Sequence, residues 1–307
     1  MSTTLRGIIP ILVTPFHPDG SVDETSLRRV VRFELEGGAH GLGIGGFASE
    51  AYKLTDFERL RCAEVVAEEV NGKVPLIIGM AFGSTEAAIA QAAVYAAFQP
   101  AALMTLPPST MKLDDASLVE HYVELGNASA APIMVQQSPQ IQQYAHCQLE
   151  TEHLARIQHR APNVRYFKIE GPGSAKRINA LRERVPEDVK LFGGVGGIAL
   201  RDELRAGAAG LLPGVGFNEF FMRVWEAWEA GNYDAVEATL GQAQELVEAV
   251  SGSGHEYSLH ARKYLLYRAG IIASPTVRRP SVMVDTRQLE GLGTLVDALG
   301  LRIARRS

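Results

Sequence analysis

The chain has 307 residues, 46% hydrophobic and 21% charged, the profile of a globular protein large enough for one big α/β domain or two smaller ones. A net charge of -5 and a pI near 5.9 provide no basic field, which argues against nucleic acid and anionic membrane as partners. Cys62 and Cys147 make neither a disulfide framework nor a metal cluster, no apolar run is long enough to span a bilayer, and "MSTTLRG" lacks a secretion-signal pattern, so a reduced cytoplasmic protein is expected.

Short apolar runs alternate with longer amphipathic segments. "GIIPILVTPF" (7–16) predicts a first strand, and "DETSLRRVVRFELEGG" (23–38) a helix capped by Asp23 and stopped at Gly37–Gly38. "GLGIGG" (41–46) predicts a second strand, followed by the helix "LTDFERLRCAEVVAEEV" (54–70) with Leu60, Val65 and Val66 toward the core. Further strands are expected at 74–80, 101–108, 132–138, 164–170, 189–197 and 209–215. Eight strand–helix units in this order read as an α/β fold, a (β/α)8 TIM barrel, in preference to a doubly wound sheet. After Gly216 the strands stop. Helices broken at Gly231–Asn232, with others over 256–270 and 286–300, predict a C-terminal helical extension. The expected division is a catalytic barrel over 1–228 and a helical bundle over 229–307.

The run "VRYFKIE" (164–170) carries the chemistry. Tyr166, Lys168 and Glu170 share one face of the strand, so two charged groups stand where burial costs free energy. Active sites of such barrels lie at the C-terminal strand ends, where Lys168 and Glu170 fall. A desolvated lysine amine is a nucleophile for ketones, and Glu170 is placed to exchange a proton with it or to hold it as an ion pair. The bland alternative is a structural salt bridge.

"GIIPILVTPF" with Asp19-Gly20 and Asp23, "GGFASEAYKLT" (45–55) with Glu50 and Leu54 in register, "YFKIE" and the glycine-rich "FGGVGG" together resemble the dihydrodipicolinate synthase/N-acetylneuraminate lyase family. The resemblance runs through the whole chain. It implies a class I aldolase-type barrel acting on 2-keto acids through a Schiff base on Lys168, with no metal or organic cofactor, assembled as a homotetramer.

The departures narrow this expectation. Phe47 and Ala48 stand where the family has its carboxylate-binding hydroxyl pair, and Ser49 replaces the next glycine. Gln136 falls at the proton-relaying tyrosine of the fifth strand, and Pro107 near the tyrosine lent by a neighbouring subunit. Without these phenols, neither dihydrodipicolinate synthase activity nor sialic acid cleavage is expected. "VQQSP" (135–139) beside "KIE" resembles the 2-keto-3-deoxy-L-arabonate dehydratase-like branch, which implies that Glu170 replaces a phenol as acid/base, if burial raises its pKa. Dehydration of a 2-keto-3-deoxy sugar acid and pyruvate-releasing aldol cleavage share the same iminium.

Backbone N–H groups at Ala48 and Ser49, assisted by the Ser49 hydroxyl, are candidates to hold a substrate carboxylate, and Phe47, Gln136, Gly193 and Gly194 to shape the pocket. Two rival readings stay open: a keto-acid-binding or regulatory paralogue with little turnover, and a barrel cradling phosphate at Gly193–Gly197. His121, His153 and His159 are expected as solvated residues on surface helices, Gly214 and Gly216 at the rim after the eighth strand, and Trp225, Trp228 and Tyr233 in packing. "VRRP" (277–280) reads as an interface or solvated turn.

Overall fold

A computed structural model describes residues 4–80 and 83–304. Among these, eight strands follow in order: β1 (Gly7–Ile8), β2 (Leu42–Ile44), β3 (Leu76–Met80), β4 (Ala102–Thr105), β5 (Ile133–Gln137), β6 (Val164–Ile169), β7 (Lys190–Phe192) and β8 (Gly210–Leu211). The α-helices are α1 (Glu24–Glu36), α2 (Asp56–Val70), α3 (Thr85–Tyr95), α4 (Asp115–Ala128), α5 (Thr151–Arg160), α6 (Ser174–Arg182), α7 (Leu200–Arg205), α8 (Asn218–Glu229), α9 (Tyr233–Ser251), α10 (His255–Arg268) and α11 (Thr286–Ala298). The chain forms two compact units.

The first unit is built on Pro75–Val195 and Ala199–Leu212. In it β3 to β7 lie side by side in chain order, all parallel, each β/α unit placing its helix between successive strands. Residues of β3, β4 and β5 are buried on both faces, as a sheet covered by helices requires, so these strands read as near-continuous apolar runs. The register sets Gln136 beside Lys168, and Lys168 beside Phe192. The seventh strand is shorter than expected. After Gly193, which bridges to Leu211, the backbone turns over at Val195, whose φ is +47°. For a β-branched residue this left-handed conformation costs about 1–2 kcal/mol. His121 is a correction: it is 5% exposed on α4, bonded through Nδ1 to Thr85 Oγ1 at 2.9 Å, and burial lowers its pKa to about 4.

The second unit is built on Gly7–Val74, Gly196–Ile198 and the residues from Pro213 onward. Ile11 bridges in parallel to both Gly43 and Gly214, so the backbone following β1 lies between two others. Asp23 caps α1 by accepting from the Ser26 N–H, and Thr55 with Glu58 forms a capping box on α2. The helix break expected at Gly231–Asn232 separates α8 from α9, with Asn232 capping the latter. Trp225 is buried and Trp228 meets Tyr233 edge-on at 5.2 Å. Within "VRRP", Arg279 and Pro280 are exposed, while Arg278 reaches Glu58 at 2.6 Å and the Gly20 and Lys53 carbonyls, because its guanidinium has five donors to satisfy. No helix of the described residues is long and apolar enough to cross a membrane.

Candidate active site

Lys168 in β6 and Glu170 just after it lie in the first unit, each 5% exposed, with Nζ 3.3 Å from Oε1. Two charges placed this deep need further partners, and the neighbouring strands provide them. Gln136, beside Lys168 on β5, donates through Nε2 to Glu170 Oε2 at 2.8 Å and to Ser138 Oγ at 2.9 Å. Ser138 donates its hydroxyl to the same Oε2. From the turn after β7, the strained Val195 donates its N–H to Oε1 at 3.0 Å. Gly194 faces this carboxylate so closely that a Cβ there would lie 2.0 Å from Oε1, and only glycine fits.

The result corrects one expectation. Burial pushes the Glu170 carboxyl up, but the Lys168 charge, the Ser138 hydroxyl, the Val195 N–H and the Gln136 amide together pull it below the usual carboxylate range. Glu170 is therefore a held carboxylate, able to take a proton, and not a resting acid. The side-chain oxygen of Gln136, Oε1, is buried and has no partner among the described residues.

A second carboxyl lies close by. Glu203, on α7, is 1% exposed and accepts from Ser174 Oγ at 2.6 Å. Burial raises it to about 7, and its Oε2 has no partner among the described residues. Gly193 faces it: a Cβ there would fall 1.7 Å from Oε2. Gly193 and Gly194 thus make room for two carboxyl groups, and the Glu170 carboxylate at Gly194 opposes an anion there.

The remaining expected site residues belong to the second unit. Phe47, Ala48 and Ser49 form a single 3-10 turn, with Phe47 stacked on Tyr52 at 4.5 Å and tilted against His255 at 4.3 Å. Ser49 corrects its expected role. Its hydroxyl donates to the Leu12 carbonyl at 2.5 Å and accepts from the Gly45 N–H at 3.1 Å, while its own N–H is spent on the Gly46 carbonyl at 3.0 Å. Those bonds hold the turn and leave neither group for a ligand. Glu50, at φ +54° and fully buried, is held by Lys263, by Lys53 at 3.4 Å and by the Arg278 N–H at 3.1 Å, which accounts for a glutamate in that motif.

Sequence reasoning missed Ser138, the Val195 N–H and Glu203. Ser138 carried a usable signal, since it lies two residues beyond Gln136, just past the end of β5.

The chain matches the model of the dihydrodipicolinate synthetase family over residues 4–299. It is 31% identical over 306 residues, covering 97% of each chain, to the L-2-keto-3-deoxyarabonate dehydratase of Azospirillum brasilense. It is 27% identical to the N-acetylneuraminate lyase of Escherichia coli O1:K1, over 97% of this chain and 98% of that one. The crystal structure of dihydrodipicolinate synthase from Thermotoga maritima superposes with a TM-score of 0.88 at 23% identity, covering 97% of this chain and 99% of that one, a likeness of fold. On the family model and the full-length relatives, the chain belongs to the dihydrodipicolinate synthetase family and is an enzyme of the lyase class.

Proposed function

We propose that the chain is a Schiff-base lyase of 2-keto acids, a dehydratase of a 2-keto-3-deoxy sugar acid or a pyruvate-releasing aldolase, with Lys168 as the imine-forming amine and Glu170 as the base. The observation that carries this reading is the buried Lys168–Glu170 pair, whose carboxylate is oriented by Ser138, Gln136 and the Val195 N–H. The similarity to a keto-deoxy sugar acid dehydratase supports it.

The steps follow from the geometry. The Lys168 ammonium gives a proton to Glu170 Oε1, and the free amine adds to the C2 ketone. Glu170 returns that proton to the alkoxide formed at C2, then carries a second proton from the nitrogen to the resulting hydroxyl, which leaves as water, and the iminium draws electrons from C3. Glu170, again a carboxylate, removes a C3 proton, and the electron pair expels hydroxide from C4, which takes the proton from Glu170 to leave as water. In the aldolase variant, Glu170 takes the C4 hydroxyl proton and the C3–C4 bond breaks. Gln136 holds Glu170 through its amide nitrogen, which leaves its oxygen as an acceptor for a substrate hydroxyl.

Closure of the eight strands into one barrel, the division at 228/229, a cytoplasmic location and homotetrameric assembly belong to the same proposal; full-length TM-scores support the first. Light scattering tests the assembly. A panel of 2-keto-3-deoxy sugar acids, followed for water loss and for pyruvate release, tests the reaction. Dehydration of at least one member with no release of pyruvate selects the dehydratase; no turnover of any member overturns both.

A further inference from the structure

A second carboxyl stands beside the proposed base, and the reaction leaves it unused. Glu203 and the groups around it belong to the first unit. Glu203, on α7, is 1% exposed; its Oε1 accepts from Ser174 Oγ at 2.6 Å, and its Oε2 has no partner among the described residues. An amide would accept from Ser174 as well and bury no charge, so that hydrogen bond does not by itself explain a glutamate. The backbone also clears room for the unpartnered oxygen, since a Cβ at Gly193 would lie 1.7 Å from it. The next residue repeats the arrangement: a Cβ at Gly194 would lie 2.0 Å from Glu170 Oε1. Two carboxyl groups are thus seated on consecutive glycines.

The charged groups that act on Glu203 are Glu170 and Lys168 at the end of β6, Arg177 on α6 and Asp202 on α7 itself. Arg177 donates through Nη2 to the Glu170 carbonyl, and Asp202 is exposed beside Arg201. Burial pushes the Glu203 carboxyl up to about 7, the Ser174 hydroxyl draws it down, and the Glu170 charge pushes it up again against the pull of Lys168. Coupling of this kind is reciprocal. An ionised Glu203 therefore opposes the Glu170 carboxylate and favours the Lys168 ammonium as strongly as they act on it. With Glu203 neutral, these three groups sum to no net charge; with Glu203 ionised, they carry one negative charge.

We infer that Glu203 is a positioning residue for the Lys168–Glu170 pair, whose charge state decides whether that site is neutral or net anionic and so how well it captures an anionic keto acid against an uncharged one. Naming the ligand as a 2-keto acid rests on the proposed function. A keto acid is an anion throughout the neutral range, so an added negative charge in a buried place repels it, while an ester of the same shape is indifferent to that charge.

Reductive trapping on Lys168 with cyanoborohydride is measured between pH 6 and pH 8 against pyruvate and against uncharged methyl pyruvate. In the wild type, half-saturating pyruvate should rise about three- to tenfold relative to methyl pyruvate across that range, the scale of one partly screened like charge. Glu203→Gln keeps an acceptor for Ser174, should match the wild type at pH 6, and should show no such rise. Ser174→Ala removes a donor that favours the ionised form, so there the rise should shift to higher pH; this variant reports even if Glu203→Gln does not fold. Glu203→Gln curves that coincide with the wild type at both pH values overturn the proposal, as does a rise left in place by Ser174→Ala. A second measurement needs no imine. The Tm gain of Glu203→Gln over its parent sets in where Glu203 ionises, and in a Glu170→Gln parent that onset should move to lower pH, because the opposing charge is gone. An unmoved onset overturns the coupling. A wild type that traps neither ligand while the onset moves refutes the Schiff-base reading and leaves the coupled carboxyl pair standing.

Discussion

Lys168 Nζ and Glu170 Oε1 face each other across 3.3 Å at the end of β6, and a second contact, the Val195 N–H, reaches the same oxygen at 3.0 Å. The carboxylate is thereby aimed at the amine that it deprotonates in the proposed reaction. Glu170→Gln keeps the size and the acceptor but cannot take a proton. Turnover should fall about 10²–10⁴-fold while the borohydride adduct on Lys168 still forms, more slowly, as the ammonium loses its proton to solvent instead. Unchanged turnover in a product assay would remove Glu170 from its role.

The pH profile should report the donors around Glu170. A carboxyl held low works as a base above its folded pKa and loses that function as pH falls through it. Ser138→Ala takes away one donor, so the acidic limb of the rate profile should move to higher pH. An unmoved limb would mean that another group titrates there.

The two adjacent glycines should respond differently to alanine. At Gly194 the added methyl meets Glu170 Oε1 at 2.0 Å, so activity should drop about 10²-fold or more through a displaced base. At Gly193 it meets Glu203 Oε2 at 1.7 Å, between β7 and α7, and the expected cost is about 1–3 kcal/mol of stability. Circular dichroism melts and rates on the two variants separate these outcomes.

How far the site could be read in advance follows from where its parts originate. Lys168 and Glu170 were legible because a parallel strand is otherwise apolar, and two charges at spacing two stand out against it. The direction of the Glu170 shift was not, because its donors come from β5 and from the turn after β7, and pairings across strands leave no local pattern. Ser49 looked free for a ligand because nothing in "GGFASE" marks the Leu12 carbonyl that takes its proton. His121 looked solvated because its neighbour Thr85 lies on another helix. Helix caps such as Asp23 and the Thr55–Glu58 box were readable, being local by nature.

Glu203 should make stability depend on pH in the sense opposite to a paired carboxylate. Its folded pKa of about 7 lies above the unfolded value, so the native state binds the extra proton between roughly pH 4.5 and 7, and stability falls as pH rises through that window. The cost above pH 7 is roughly 3 kcal/mol. Glu203→Gln keeps an acceptor for Ser174 and removes the titration. Its Tm should equal that of the wild type near pH 5 and exceed it near pH 8; a constant difference would assign Glu203 a fixed charge.

The central claim is that the Lys168 amine forms an imine with a 2-keto acid, and reductive trapping tests it most directly. Wild-type enzyme is treated with pyruvate and borohydride, digested, and its peptides weighed. The account predicts the mass of a reduced pyruvate adduct on the peptide containing Lys168, absent in Lys168→Ala. No adduct under saturating pyruvate, or one carried by another lysine, contradicts it.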